Sequence, residues 1–212
     1  MRPSDGLPDT LADRAYLAMY DRDHGRLTSR RWAGQLLGAA AVTDLYLRGY
    51  LADDGGLAKP AAGLPAPDNS VLAQLWQRVT DDRPRRWQHW IRQRGIEKLV
   101  RTDLAGRWIR IERPAGFLRH ARISPRDPRA LTRLHGLVTA ALRGPVPVDR
   151  LPERDTALVA LLAVADVRTV ISRDRRREHA RRIDQMIEHA GPPAAVLRRA
   201  ITRARHMQAG GG

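Results

Sequence analysis

Apolar residues recur along this chain at helical spacing, and prolines and glycines cut the pattern into segments. Leu11, Tyr16, Leu17, Met19 and Tyr20 follow Pro8, Asp9 and Thr10, which predicts a capped first helix over 7–20. Asp23 and Gly25 supply the turn that stops it. A long Ala/Leu-rich helix is predicted over 30–48, with Leu36, Leu37, Ala40, Ala41 and Leu45 on its apolar side and Gly49 closing it. The spacing resumes over 69–80. It continues over 85–102, where Trp87, Trp90, Ile91, Leu99 and Val100 oppose Arg85, Arg86, His89, Arg92, Arg94, Lys98 and Arg101.

Four further helices are predicted over 125–143, 152–171, 173–189 and 193–208. The longest apolar run, 157–165, is too short to cross a bilayer and suits a helix buried on most sides. Two short stretches have β character. One flanks Asp53-Asp54-Gly55-Gly56, and the other runs from Trp108-Ile109-Arg110-Ile111 through Pro114-Ala115-Gly116 toward 117–123. The expected fold is mainly α: a compact single-domain helical bundle of about seven or more helices with one or two short β-hairpins. At 212 residues the chain has room for one well-filled domain, with a core over 7–204 and a frayed tail over 205–212.

Charge changes the picture. Thirty-eight Lys+Arg against 23 Asp+Glu leave a net charge of +15, beyond what solubility requires, so an anionic partner is expected. Lysine occurs only at Lys59 and Lys98, so arginine carries the excess. With no cysteine, disulfide scaffolds, thiolate metal sites and cysteine nucleophiles are excluded. Neither a signal-peptide h-region nor a membrane span is present, which points to the cytoplasm.

Catalytic signatures are missing. No two of the seven histidines share a helix at metal-ligand spacing, no Gly-rich phosphate loop precedes a Lys-Ser/Thr, and no serine lies between glycines at nucleophile-elbow offsets. Asp53-Asp54 beside two glycines reads as a solvated turn. The expectation is a binding protein, not an enzyme, with no cofactor or metal.

The remaining candidates are bases with aromatics interleaved. On a continuous helix Arg85, His89 and Arg92 stand at i, i+4 and i+7 and point the same way. Arginine forks can hold phosphate oxygens bidentately, and histidine adds a donor. Arg30-Arg31-Trp32 opens another helix, where backbone N–H groups attract anions and a tryptophan can stack. Arg173, Arg175, Arg176, Arg177, Arg181 and Arg182 make a densely positive helix without aromatics, read as a general electrostatic surface.

Taken in order, several segments resemble the Golgi phosphoprotein 3 family, as an actinobacterial-type member: LAMYDRDHGRL over 17–27, LYLRGYL over 45–51, DNSVLAQLWQRV over 68–79, RQRGIEKLVRTDLA over 92–105, RDTALVALLAVADVRTVI over 154–171 and AAVLRRAI over 194–201. The resemblance implies a peripheral membrane protein that recognises phosphatidylinositol 4-phosphate through a tryptophan and several arginines, with an apolar hairpin dipping into the bilayer. It places Arg92 on one head-group arginine and His89 on the other. The hairpin falls on 107–117, with Trp108, Ile109 and Phe117 as insertion residues. With the register fixed on Arg48-Gly49, Ser29 stands at the family's tryptophan position and Gly38 at that of another arginine, while Trp32 takes the stacking role if the helix start shifts.

The resulting expectation is reversible attachment to an anionic phospholipid surface at the inner face of the membrane. Arg92, His89, Arg85 and Trp32 would hold the head group. The alternatives are a nucleic-acid-binding module, which would need a compact reading set on one exposed helix, and a protein-interaction module with an acidic partner.

Overall fold

A computed structural model describes residues 6–112 and 122–210. The chain opens with α1 (Leu11–Ala18), whose N-cap Thr10 accepts from the Asp13 backbone N–H at 3.0 Å. A two-residue hairpin follows, β1 (Tyr20–Asp21) against β2 (Arg26–Leu27), in the segment expected to be only a turn. A 3-10 turn over Arg30–Trp32 then leads into α2 (Ala33–Leu47). The predicted helix start is therefore displaced to Ala33.

β3 (Leu51–Asp54) and β4 (Leu57–Pro60) form the predicted hairpin, and α3 (Ser70–Asp81) starts at Asn69, whose side chain accepts from Val71 N and Leu72 N. The segment expected as one helix over 85–102 is broken into three. Pro84 precedes β5 (Arg85–Arg86), which adds to the edge of β4; α4 (Trp87–Ile91) and α5 (Ile96–Leu104) are separated by Gly95 in the left-handed region, φ 80°. β6 (Ile109–Glu112) pairs with β7 (Arg122–Pro125), as the second hairpin predicted.

The remainder is α6 (Pro128–Arg143), α7 (Glu153–Val164), α8 (Arg173–Glu178), α9 (Ala180–His189) and α10 (Pro192–Ala209). Asp127 caps α6 with Pro128 at its first position, and Ser172 caps α8. The chain is thus mainly α with short antiparallel pairs, as expected.

The core is built around α2 and α7, which pack together and are apolar on nearly every side. Every residue from Thr156 to Val164 is buried, which matches the reading of the apolar run as core. Trp87 and Trp90 are both almost fully buried. The Trp87 indole N–H donates to Asp53, and its ring meets the edge of Tyr46 at 5.8 Å. At Gly38 the α2 and α4 backbones nearly touch: a Cβ there would lie 2.1 Å from the Ile91 carbonyl oxygen. The arginine that the resemblance places at this position would displace α4.

Candidate functional site

The charge is not spent evenly, because many arginines serve the fold. Asp44, with no exposed surface, accepts from Leu11 N at 2.8 Å, Arg48 Nε at 2.9 Å and the Arg154 guanidinium at 3.1 Å, tying together α1, α2 and α7. Arg48 and Arg154 also reach Asp9, and Arg14 reaches Asp155 at 3.3 Å. Burial lowers the pKa of Arg14, with Arg154 nearby adding to the effect. These arginines neutralise the buried Asp44 and the partly exposed Asp9 and Asp155.

Two clefts collect arginines that do something else. The first, about 610 Å³, lies where α3, β5 and α4 meet and is lined by Arg78, Arg86, His89, Arg92 and Arg94 with Gln88 and Gln93. No carboxylate lines it. Arg86, Arg92 and Arg94 have no carboxylate at ion-pair distance among the described residues. Arg78 donates to Gln93 Oε1 at 3.2 Å, and Gln93 donates to the His89 carbonyl at 3.3 Å, so a neutral amide links the walls. The last turn of α4 keeps His89 and Arg92 adjacent, since Arg92 N donates to the His89 carbonyl.

Arg85 does not join them. As a β5 residue it is outside the helix, so the i, i+4, i+7 alignment does not exist, and its guanidinium donates to Asp82 Oδ2 at 3.1 Å. That bond is the main cause lowering the Asp82 pKa. Arg78, from the preceding helix, completes the cleft instead. Its only sequence signal was an exposed position on an amphipathic helix, shared with many other arginines.

Trp32 belongs to a different place. The second cleft, about 1100 Å³, is enclosed by the β1–β2 turn, the Arg30–Trp32 turn, the end of α7, α8 and the far half of α10. Asp166, at φ 60°, sits on its wall. Arg168 donates to it at 2.9 Å, Arg176 donates to it as well, and Arg205 approaches to 3.9 Å. Arg31 lies 4.8 Å over the Trp32 ring and donates to Gln208. The α8 arginines, read from sequence as a diffuse surface, therefore face aromatic residues supplied by distant parts of the chain. His135 in this cleft has its pKa lowered by burial first and by Arg22 and Arg175 next.

The hairpin corrects a further expectation. Ile109 is 2% exposed and belongs to the core, while Trp108 is half-buried and packs against it, with Arg126 N donating to the Trp108 carbonyl at 2.8 Å. Ile109 does not offer its side chain to a bilayer as folded, and Trp108 exposes only part of its own. The period-2 pattern was right, but the face that carries Ile109 turns inward. Phe117 lies outside the described residues.

Among the described residues no helix is long and apolar enough to cross a membrane, and no three His, Asp or Glu side chains gather as a metal site. No curated protein matches the chain. The model of the Golgi phosphoprotein 3 (GPP34) family matches residues 11–204, which spans α1 through most of α10 and includes both clefts apart from the Arg205 side. A match over nearly the whole fold makes this chain a member of the Golgi phosphoprotein 3 family.

Proposed function

We propose that the protein binds anionic phospholipid head groups as a peripheral membrane protein, with the Arg78/Arg86/His89/Arg92/Arg94 cleft as the head-group site and phosphatidylinositol 4-phosphate as the preferred ligand. The observation that carries this reading is a concave site with four guanidiniums and no carboxylate. A phosphomonoester placed there meets planar forks that match its oxygens, and it displaces no internal ion pair. Family membership supports the ligand class, and Arg92 and His89, the residues that the resemblance assigns to the head group, both line this cleft. Arg85 and Trp32 drop out of this site.

Attachment is electrostatic in this reading. Each base near an anionic surface contributes roughly 1 kcal/mol, so four give about 4 kcal/mol, enough for reversible recruitment at the inner face of a membrane without a lipid anchor. The protein acts by binding and carries out no reaction.

Vesicle co-sedimentation tests this. Recovery is expected with phosphatidylcholine vesicles containing phosphatidylinositol 4-phosphate, less with phosphatidylinositol, and little with phosphatidylcholine alone. Arg86→Ala/Arg92→Ala should lower the partition constant by about 30-fold, the equivalent of two such bases. Equal recovery on neutral and anionic vesicles would overturn the reading. A protein that ignores all vesicles but shifts duplex DNA at the same salt would replace it with the nucleic-acid alternative.

A further inference from the structure

We infer that the larger cleft is a second binding site, independent of the head-group cleft, for an anion that carries several phosphate groups close together. The two clefts share no lining residue. Seven arginines and three aspartates line this one, an excess of four positive charges with neutral His135. Asp166 is ion-paired with Arg168, Arg176 and Arg205 and gathers three guanidiniums at the cavity with a single negative charge. Of the other four, Arg31, Arg173 and Arg177 have no carboxylate at ion-pair distance among the described residues. Arg22 donates only to neutral oxygens, Pro128 O at 2.6 Å and Thr132 Oγ1 at 3.3 Å.

The cavity is therefore charged on several walls at once, and its positive groups are crowded. Burial and the nearby Arg205 both lower the Arg176 pKa, and the Arg176 Nε is buried without a hydrogen-bond partner. The serine and threonine hydroxyls are not free to add selectivity by donation, since Thr28 donates to Met19 O, Ser29 to Asp166 O and Thr169 to Ala18 O. Recognition thus rests on guanidinium forks set around a space large enough for a ligand well beyond a single phosphate. One phosphate, with a charge near −2, leaves about half of the excess of four positive charges unbalanced, whereas a chain of two or three balances it. The same chemistry is offered by a multiply phosphorylated lipid head group and by a soluble polyphosphate.

Calorimetric titration of the full chain at physiological ionic strength, with tripolyphosphate and orthophosphate as probes, tests the site. Tripolyphosphate is expected to bind at least about tenfold more tightly, because it engages several guanidiniums where orthophosphate engages one or two. Arg173→Ala/Arg177→Ala removes two side chains that hold nothing internal, so the fold persists, and it should weaken tripolyphosphate binding by about tenfold or more. Lys98→Ala/Arg143→Ala removes the same charge outside both clefts and should leave the titration unchanged. In a second arm, vesicles of phosphatidylcholine with phosphatidylinositol 4,5-bisphosphate identify the source: recovery lost in the Arg173/Arg177 pair beyond the control assigns a lipid, and an effect confined to the titration assigns a soluble polyphosphate. Equal affinity for the two phosphates, equal behaviour of the pair and its control in both arms, or abolition of tripolyphosphate binding by Arg92→Ala would overturn the inference.

Discussion

Asp13 offers a stringent test of the energetics. It lies in α1, only 3% exposed, and its Oδ1 has no hydrogen-bond partner. Burial raises its pKa from 3.8 to about 7; the Thr10 side chain pulls the other way, Asp103 and Asp44 push upward, and Arg107 opposes them. The folded state therefore holds the proton more tightly than the unfolded state. The sign follows from that: this group's favourable contribution is complete below about pH 4 and is lost as the pH climbs toward 7. A shift of about three units corresponds to about 4 kcal/mol, an upper value because local relaxation lets in water. Asp13→Asn is nearly isosteric and cannot ionise. Urea unfolding from pH 4.5 to 8 should show the variant within about 1 kcal/mol of the parent at the acid end and about 2–4 kcal/mol more stable at pH 8. A stability difference that does not change with pH, or a variant less stable than the parent at pH 8, would refute the reasoning.

Three other perturbations have definite outcomes. Gly38→Ala places a Cβ against the Ile91 carbonyl, so α2 and α4 must part; urea unfolding should register a loss of about 1–3 kcal/mol, and vesicle recovery should fall because Arg92 directly follows Ile91. Asp44→Ala strands the Leu11 N–H and leaves the Arg48 and Arg154 guanidiniums with Asp9 as their remaining carboxylate, and a loss of about 2–4 kcal/mol is expected in the same assay. Ile109→Ala should cost about 2–4 kcal/mol of stability while leaving vesicle recovery of the folded protein intact; lost recovery without lost stability would return Ile109 to the membrane.

Helical segments with long, consistent periodicity were legible because burial on one face is a property of many residues at once. Trp87 and Trp90, on the apolar side of the predicted helix, are core, as is the apolar run in α7. The break at 85–95 was not legible. Residues 85–102 satisfy a helical pattern throughout, and what interrupts it is nonlocal: β4 captures Arg85 and Arg86 as a third strand. Gly95 was the only local warning, since a left-handed residue ends one helix and opens the next. The β1–β2 hairpin was hidden for a similar reason, with only two residues on each strand to carry a pattern.

The site was half legible, and the cause lies in composition. When nearly every base is arginine, the residue type no longer separates a ligand-binding guanidinium from one that neutralises Asp44, and only the location of the carboxylates can do so. Several of those carboxylates are distant in sequence, as Asp9 is from Arg48, Asp9 and Asp44 are from Arg154, and Asp166 is from Arg205, and the local pairs Asp44–Arg48 and Asp166–Arg168 look like any other nearby opposite charges. Subtracting these pairs leaves, beside scattered surface arginines, two clefts of different kinds. One lacks any carboxylate, while the other is organised around Asp166 and is positive beyond what its three lining aspartates balance. A site without internal anions can accept a phosphate with little rearrangement, whereas the second must either stretch its ligand over several guanidiniums or leave them unbalanced. The difference predicts distinct valence preferences, and a protein that titrates orthophosphate and tripolyphosphate as one class of equivalent sites would contradict it.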